Sequence, residues 1–132
     1  MHAPLAESFL AVLAHVLGEA PDNCAALSAQ IGDDVPQLAE KVVRTIHELD
    51  QGMGVLIVTD ICGATPFRVA RQLLHPGKVE LLCGASVPML VRALTYREHG
   101  LNKTIEKALS GAHEGVLFLD HSEEEEERRV AP

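Results

Sequence analysis

Val55-Leu56-Ile57-Val58-Thr59-Asp60-Ile61-Cys62-Gly63-Ala64-Thr65-Pro66-Phe67 contains a change of structure within thirteen residues. Its first four residues are apolar without alternation, the pattern of a strand covered on both faces. Small residues follow, then a hydroxyl residue suited to N-capping, then a proline placed for a first helical turn. A strand that runs through a tight turn into a helix is the unit of a parallel α/β fold. The same order recurs at Val79-Glu80-Leu81-Leu82, followed by Cys83-Gly84-Ala85-Ser86-Val87-Pro88-Met89-Leu90. The opening His2-Ala3-Pro4-Leu5 reads as a third junction of this kind, with its strand cut short.

Helical spacing fills the intervals. Leu5, Phe9, Leu10, Leu13, Val16 and Leu17 share one helical face, and Gly18 is placed to stop that helix. A second helix is expected from Asp34, with Pro36 in its first turn and Leu38, Val42, Val43, Ile46 and Leu49 turned inward. Further strands are expected at Val116-Leu117-Phe118-Leu119 and, more weakly, from Cys24 to Leu27. The expected class is α/β: a doubly wound, mainly parallel sheet with helices on both faces in three layers, its first strand missing. Ligands of such sheets bind outside the carboxyl ends of the strands.

At 132 residues the chain is one domain long, and 47% hydrophobic residues suffice for a core. That core must be aliphatic, since aromatic residues make up 3%. No apolar run approaches the roughly 18–20 residues of a membrane helix, so a cytoplasmic location is expected. Cys24, Cys62 and Cys83 are odd in number and widely spaced, which argues against a disulfide framework. A net charge of −8 speaks against nucleic acid and suits a basic protein partner. Residues 1–120 are read as the domain. Residues 121–132, with the unbroken run Glu123 to Glu127, are read as an acidic, disordered tail.

Three helix starts on one rim would present unpaired N–H groups suited to an anion, with His2 and Asp60 standing among them. Gly63-Ala64-Thr65-Pro66 is also an ordinary helix start, and Asp60 an ordinary turn carboxylate. His15 and His47 fall inside helices. His75, His99, His113 and His121 lie near loops or the tail, so all six are read as surface residues.

These segments resemble the IIA domain of the mannose family of the bacterial phosphoenolpyruvate:sugar phosphotransferase system. The resemblance covers about residues 1–120 and is carried by His2-Ala3-Pro4-Leu5-Ala6-Glu7, Asp60 to Phe67, and Gly84-Ala85-Ser86-Val87-Pro88-Met89-Leu90. It implies a phosphotransferase that carries phosphohistidine. His2 would accept the phosphoryl group from phospho-HPr and pass it to a IIB protein. Asp60 would hydrogen-bond the imidazole, and Gly63, Ala64 and Thr65 would bind the phosphate. No metal or cofactor is implied. The implied partners are HPr, IIB and a second copy in a homodimer, to which Val116 to Leu119 would contribute an antiparallel strand. Nucleic acid is not among them, and any link to the membrane would be peripheral, through a permease. A regulatory IIA-like protein that signals its phosphorylation state without moving sugar is the alternative.

Other classes fit less well. A receiver domain would want an acidic pair after its first strand and a lysine after its last, where this chain has Leu119-Asp120-His121. A metal or redox site could be built from His2, Asp60, Cys62 and Cys83, against which stand buried, inert thiols. A relative acting on dihydroxyacetone kinase is disfavoured by the Thr-Pro-Phe and Pro-Met-Leu junctions. In the family a hydrophobic strand precedes the active histidine. Met1 stands where that strand would end, and a coding start farther upstream is the expected explanation.

Overall fold

The structure, a computed structural model, describes residues 1–121. Its elements run in the order α1 (Leu5–Leu17), α2 (Val35–Leu49), β1 (Val55–Thr59), α3 (Thr65–Arg71), β2 (Val79–Cys83), α4 (Val87–Tyr96), a 3₁₀ turn (Arg97–His99) and α5 (Leu101–Glu114). The class is mixed α/β. The two strands are parallel and in register from Val55 opposite Val79 to Thr59 opposite Cys83.

Local chemistry sets most of the boundaries. Helix α1 ends at Gly18, whose φ of 82° is left-handed and free of strain without a Cβ. Asp34 precedes α2, and Pro36 lies in its first turn, where a missing N–H is harmless. Ser86 caps α4 with its hydroxyl, which accepts from the Met89 N–H at 3.3 Å. The matching junction at α3 differs from expectation. There Ala64 is the cap and Thr65 is already the first helical residue, so no side chain caps the helix.

The core lies where α4 and α5 pack beside the sheet. Leu82, Met89, Ala93 and Ala108 are buried there, with Leu56, Val58, Ile105 and Ala112 against them. The helices approach closely at Gly111, where a Cβ would sit 2.5 Å from Arg92 Cγ and 2.7 Å from the Pro88 carbonyl oxygen.

The other side of β1 is open. A cavity of about 440 Å³ is lined by all five β1 residues, by the segment from Asp22 to Leu27 with Ala29, and by Phe9, Leu13, Val42 and Ile46 of the first two helices. Among the described residues, β1 pairs with β2 alone, so its second edge faces this cavity. The void explains why α2, amphipathic though it is, has no buried residue. Its apolar face looks across the cavity rather than onto a strand. The Thr59 hydroxyl, buried and without a hydrogen-bond partner among the described residues, also borders it.

Two expected strands do not form in the single chain. Cys24 to Leu27 runs extended without a ladder, and only Ala29 makes a bridge, parallel to His2. Val116, Leu117, Phe118 and Leu119 are 84, 74, 90 and 68% exposed and form no strand or bridge among the described residues. A strand needs a neighbouring edge to pair with. Of the acidic tail expected over 121–132, all but His121 falls outside the described residues.

Candidate functional site

His2 is fixed from two directions. Main-chain bonds hold it from behind. The Ala29 N–H donates to the Met1 carbonyl at 2.8 Å, and the Ala3 N–H donates to the Ala29 carbonyl at 2.9 Å. The Met1 amino group donates to the Leu27 carbonyl at 3.1 Å. In front stands Asp60, the first residue beyond β1. Its Oδ2 accepts the His2 main-chain N–H at 2.9 Å and lies 2.7 Å from ring Nδ1. Its other oxygen, Oδ1, accepts the Ile61 N–H at 3.0 Å.

The charge state follows from these contacts. Burial alone would raise the Asp60 pKa. Hydrogen bonds from the His2 main chain, the His2 ring, and the Asp60 and Ile61 main chain outweigh it and hold the carboxyl at about 2. At neutral pH this group is an acceptor only. The hydrogen between the pair therefore belongs to Nδ1, and in the neutral imidazole the lone pair is then on Nε2. The His2 side chain is 52% exposed while that of Asp60 is 12% exposed. The carboxylate is sheltered and the ring can be reached from solvent.

Gly63, Ala64 and Thr65 occupy the turn just after Asp60. Gly63 has a φ of 89°, and a Cβ built there would meet nothing within 4 Å, so the turn is open on that side. The Thr65 side chain is exposed and engaged in no hydrogen bond among the described residues. No hydrogen bond joins these three residues to His2. The structure pairs His2 with Asp60 directly and sets the other three beside that pair along the chain.

Sequence reasoning missed Arg68. Its Nε donates to the Gly63 carbonyl at 3.1 Å, bracing the turn and placing a cation beside it. Its position one turn into α3, behind Thr65-Pro66-Phe67, was the available signal. The six other histidines are exposed. Among the described residues, no three His, Cys, Asp or Glu side chains are grouped closely enough to hold a metal. No helix among them is long and apolar enough to cross a membrane.

Comparison with known proteins fits this geometry. A family model described as PTS system fructose IIA component matches residues 1–119. The mannose-specific EIIAB component of Escherichia coli K12 is 30% identical over 121 residues, covering 89% of this chain and 37% of that protein. The fructose-specific EIIA component of Bacillus subtilis 168 is 27% identical over 85 residues, covering 64% of this chain and 58% of that one. The chain thus spans well under two thirds of the length of these curated relatives. Among solved structures, the mannose/sorbose specific IIA subunit from Enterococcus faecalis superposes with a TM-score of 0.78 at 21% identity, over 90% of this chain and 89% of that one. The EIIA component from Streptococcus agalactiae also scores 0.78 at 21% identity, over 89% and 91% of the two chains. At that identity the two structures speak for the fold alone. The family model, spanning nearly the whole described chain, speaks for kinship: the chain belongs to the mannose/fructose-type IIA family of the phosphotransferase system.

Proposed function

We propose that this protein is a phosphoryl carrier that accepts a phosphoryl group on His2 Nε2 from phospho-HPr and delivers it to a IIB protein. The observation that supports the reading best is the exposed imidazole whose Nδ1 faces a sheltered carboxylate at 2.7 Å. With the Nδ1 proton held by Asp60, the Nε2 lone pair attacks phosphorus. One P–N bond forms while the donor's P–N bond breaks. No proton need move, because the hydrogen stays on Nδ1 and is donated to Asp60 throughout. The carboxylate balances the positive charge that the ring gains, and the turn that follows Asp60, braced at the Gly63 carbonyl by Arg68 and carrying the exposed Thr65 hydroxyl, would receive the phosphate oxygens. Phosphoryl transfer rests mainly on such positioning and charge balance.

The test is direct. The protein is incubated with phosphoenolpyruvate, enzyme I and HPr, and acid-labile phosphate is mapped by mass spectrometry. Phosphate is expected on His2 alone. Label on His47 or His75 with His2 bare overturns the assignment.

A further inference from the structure

Three large aliphatic residues, Leu5, Ile31 and Ile61, are exposed on the segments that hold the His2–Asp60 pair. The backbone keeps each in place. The Leu5 N–H donates to the His2 carbonyl at 2.9 Å, which ties the first residue of α1 to the histidine. The Ile61 N–H donates to Asp60 Oδ1 at 3.0 Å. Ile31 stands two residues beyond Ala29, the residue bridged to His2, and two residues of chain span at most about 7 Å. A closed turn presents it, in which the Gln30 N–H donates to Asp33 Oδ2 at 2.8 Å and the Asp33 N–H to the Gln30 carbonyl at 3.2 Å. Ile31 is completely exposed and Ile61 more than half exposed.

Single aliphatic side chains scattered over a surface are ordinary. Three on the segments that hold one reactive ring call for a cause. Each is unfavourably hydrated in the free protein, and a partner that covers it recovers that free energy. We propose that Leu5, Ile31 and Ile61 form an apolar rim on which the protein phosphodonor, HPr, docks, so that they select a protein donor over a small one. The inference rests on the phosphoryl reading of His2. In that reading the donor's phosphorus comes within about 3–3.5 Å of Nε2. A protein brought that close lays its own surface over the residues next to the ring, and the exposed ones here include all three aliphatics. The matching surface of the donor is therefore apolar around its reacting nitrogen.

The rim binds, and the His2–Asp60 pair reacts. Contacts made equally before and during transfer act on KM and leave kcat alone. A small donor has no surface to lay on the rim and gains nothing from it. Phosphoramidate gives its phosphoryl group to Nε2 as its own P–N bond breaks and ammonia leaves, so it reports the reacting pair without the rim.

The experiment uses the full chain and its Ile31→Ser, Ile61→Ser and Ile61→Leu variants, with phosphate uptake measured from phospho-HPr and from phosphoramidate. In each serine variant the ratio of kcat/KM for phospho-HPr to that for phosphoramidate should fall about tenfold, through KM. Ile61→Leu keeps the apolar surface and should stay within about threefold of the native ratio. An unchanged ratio in the serine variants overturns the rim. So does an equal loss from both donors, since the residue would then support the pair itself. Docking is read separately by adding unphosphorylated HPr to the isotope-labelled protein and following its amide signals by NMR. Those of Leu5, Ile31 and Ile61 should shift. Shifts on changing the concentration of the protein alone, with none on adding HPr, make the rim a contact between copies and overturn the proposal. If HPr shifts these signals but neither donor labels His2, it is the phosphoryl reading that fails, while the docking surface stands.

Discussion

Asp60 Oδ2 grips His2 at two points, accepting its main-chain N–H at 2.9 Å and facing its ring Nδ1 at 2.7 Å. One oxygen thus fixes both where the residue sits and how its ring is turned. Removing the charge while keeping the shape separates these roles. In Asp60→Asn an amide NH₂ can face Nδ1, which moves the ring hydrogen to Nε2 and blocks the attacking lone pair. The fold, read by circular dichroism, should survive. Phosphate uptake should fall on the order of 10², less than the 10⁴ lost when a protease triad loses its carboxylate, because the donor here is already activated. An Asn variant that transfers at the native rate removes Asp60 from the site.

The same pair predicts a dependence of stability on pH. The folded Asp60 pKa of about 2 lies below that of an unfolded aspartate. A depressed carboxylate contributes stability that is complete above its unfolded pKa, near 4, and is lost as pH falls through the folded value. Urea unfolding of the native protein and Asp60→Asn should show a gap that is constant above about pH 5. It should close between about pH 4 and 2. A gap of undiminished size at pH 2 would mean that the carboxylate charge is not what stabilises the pair.

Four exposed apolar residues in a row, Val116 to Leu119, supply a physical motive for the homodimer that the resemblance implies. Such a run is stable in water when it adds to a sheet edge, and a second copy can offer one. Light scattering should report twice the monomer mass. Phe118→Glu should shift the protein toward monomer, since a charge on an added strand must be desolvated without a partner. A native protein that is monomeric at micromolar concentration contradicts the homodimer.

What could be read from the sequence was mostly local. The limits of α1 and α2 follow from Gly18, Asp34 and Pro36, β1 follows from a run of four apolar residues, and β2 from an apolar run interrupted by Glu80. The His2–Asp60 contact joins residues 58 apart. Motif resemblance suggested it, but spacing could not, because the approach depends on how Ala29 and β1 flank the amino terminus. Thr65 shows the limit of the capping rule. Its hydroxyl could cap α3 or remain free, and the turn at Gly63 moves the cap one residue back to Ala64. The unburied face of α2 was equally hidden, since its heptad-like pattern is that of a packed helix. Only the cavity beneath it shows why nothing is buried.

That cavity runs along the open edge of β1. The segment from Asp22 to Leu27 lines it as β1 does, and Met1 is part of the lining. The Thr59 hydroxyl at its margin has no partner among the described residues, and a strand's main chain could supply one. An apolar extension of about six to eight residues in front of Met1, a strand's length, should enter the gap parallel to β1. Each buried aliphatic side chain contributes roughly 1.5–3 kcal/mol before ordering costs of about 1–2 kcal/mol per residue are subtracted. A net gain of a few kcal/mol should raise Tm by roughly 5 °C or more. The extension would also stiffen the peptide that carries His2, and errors of about 1 Å in a reacting group can cost roughly a hundredfold. The extended protein should therefore take up phosphate from phospho-HPr faster than the 132-residue form. A control extension with proline at alternate positions, which cannot complete the ladder, should give neither gain. If the apolar extension leaves both Tm and uptake unchanged, the gap does not accept a strand and the position of His2 does not depend on one.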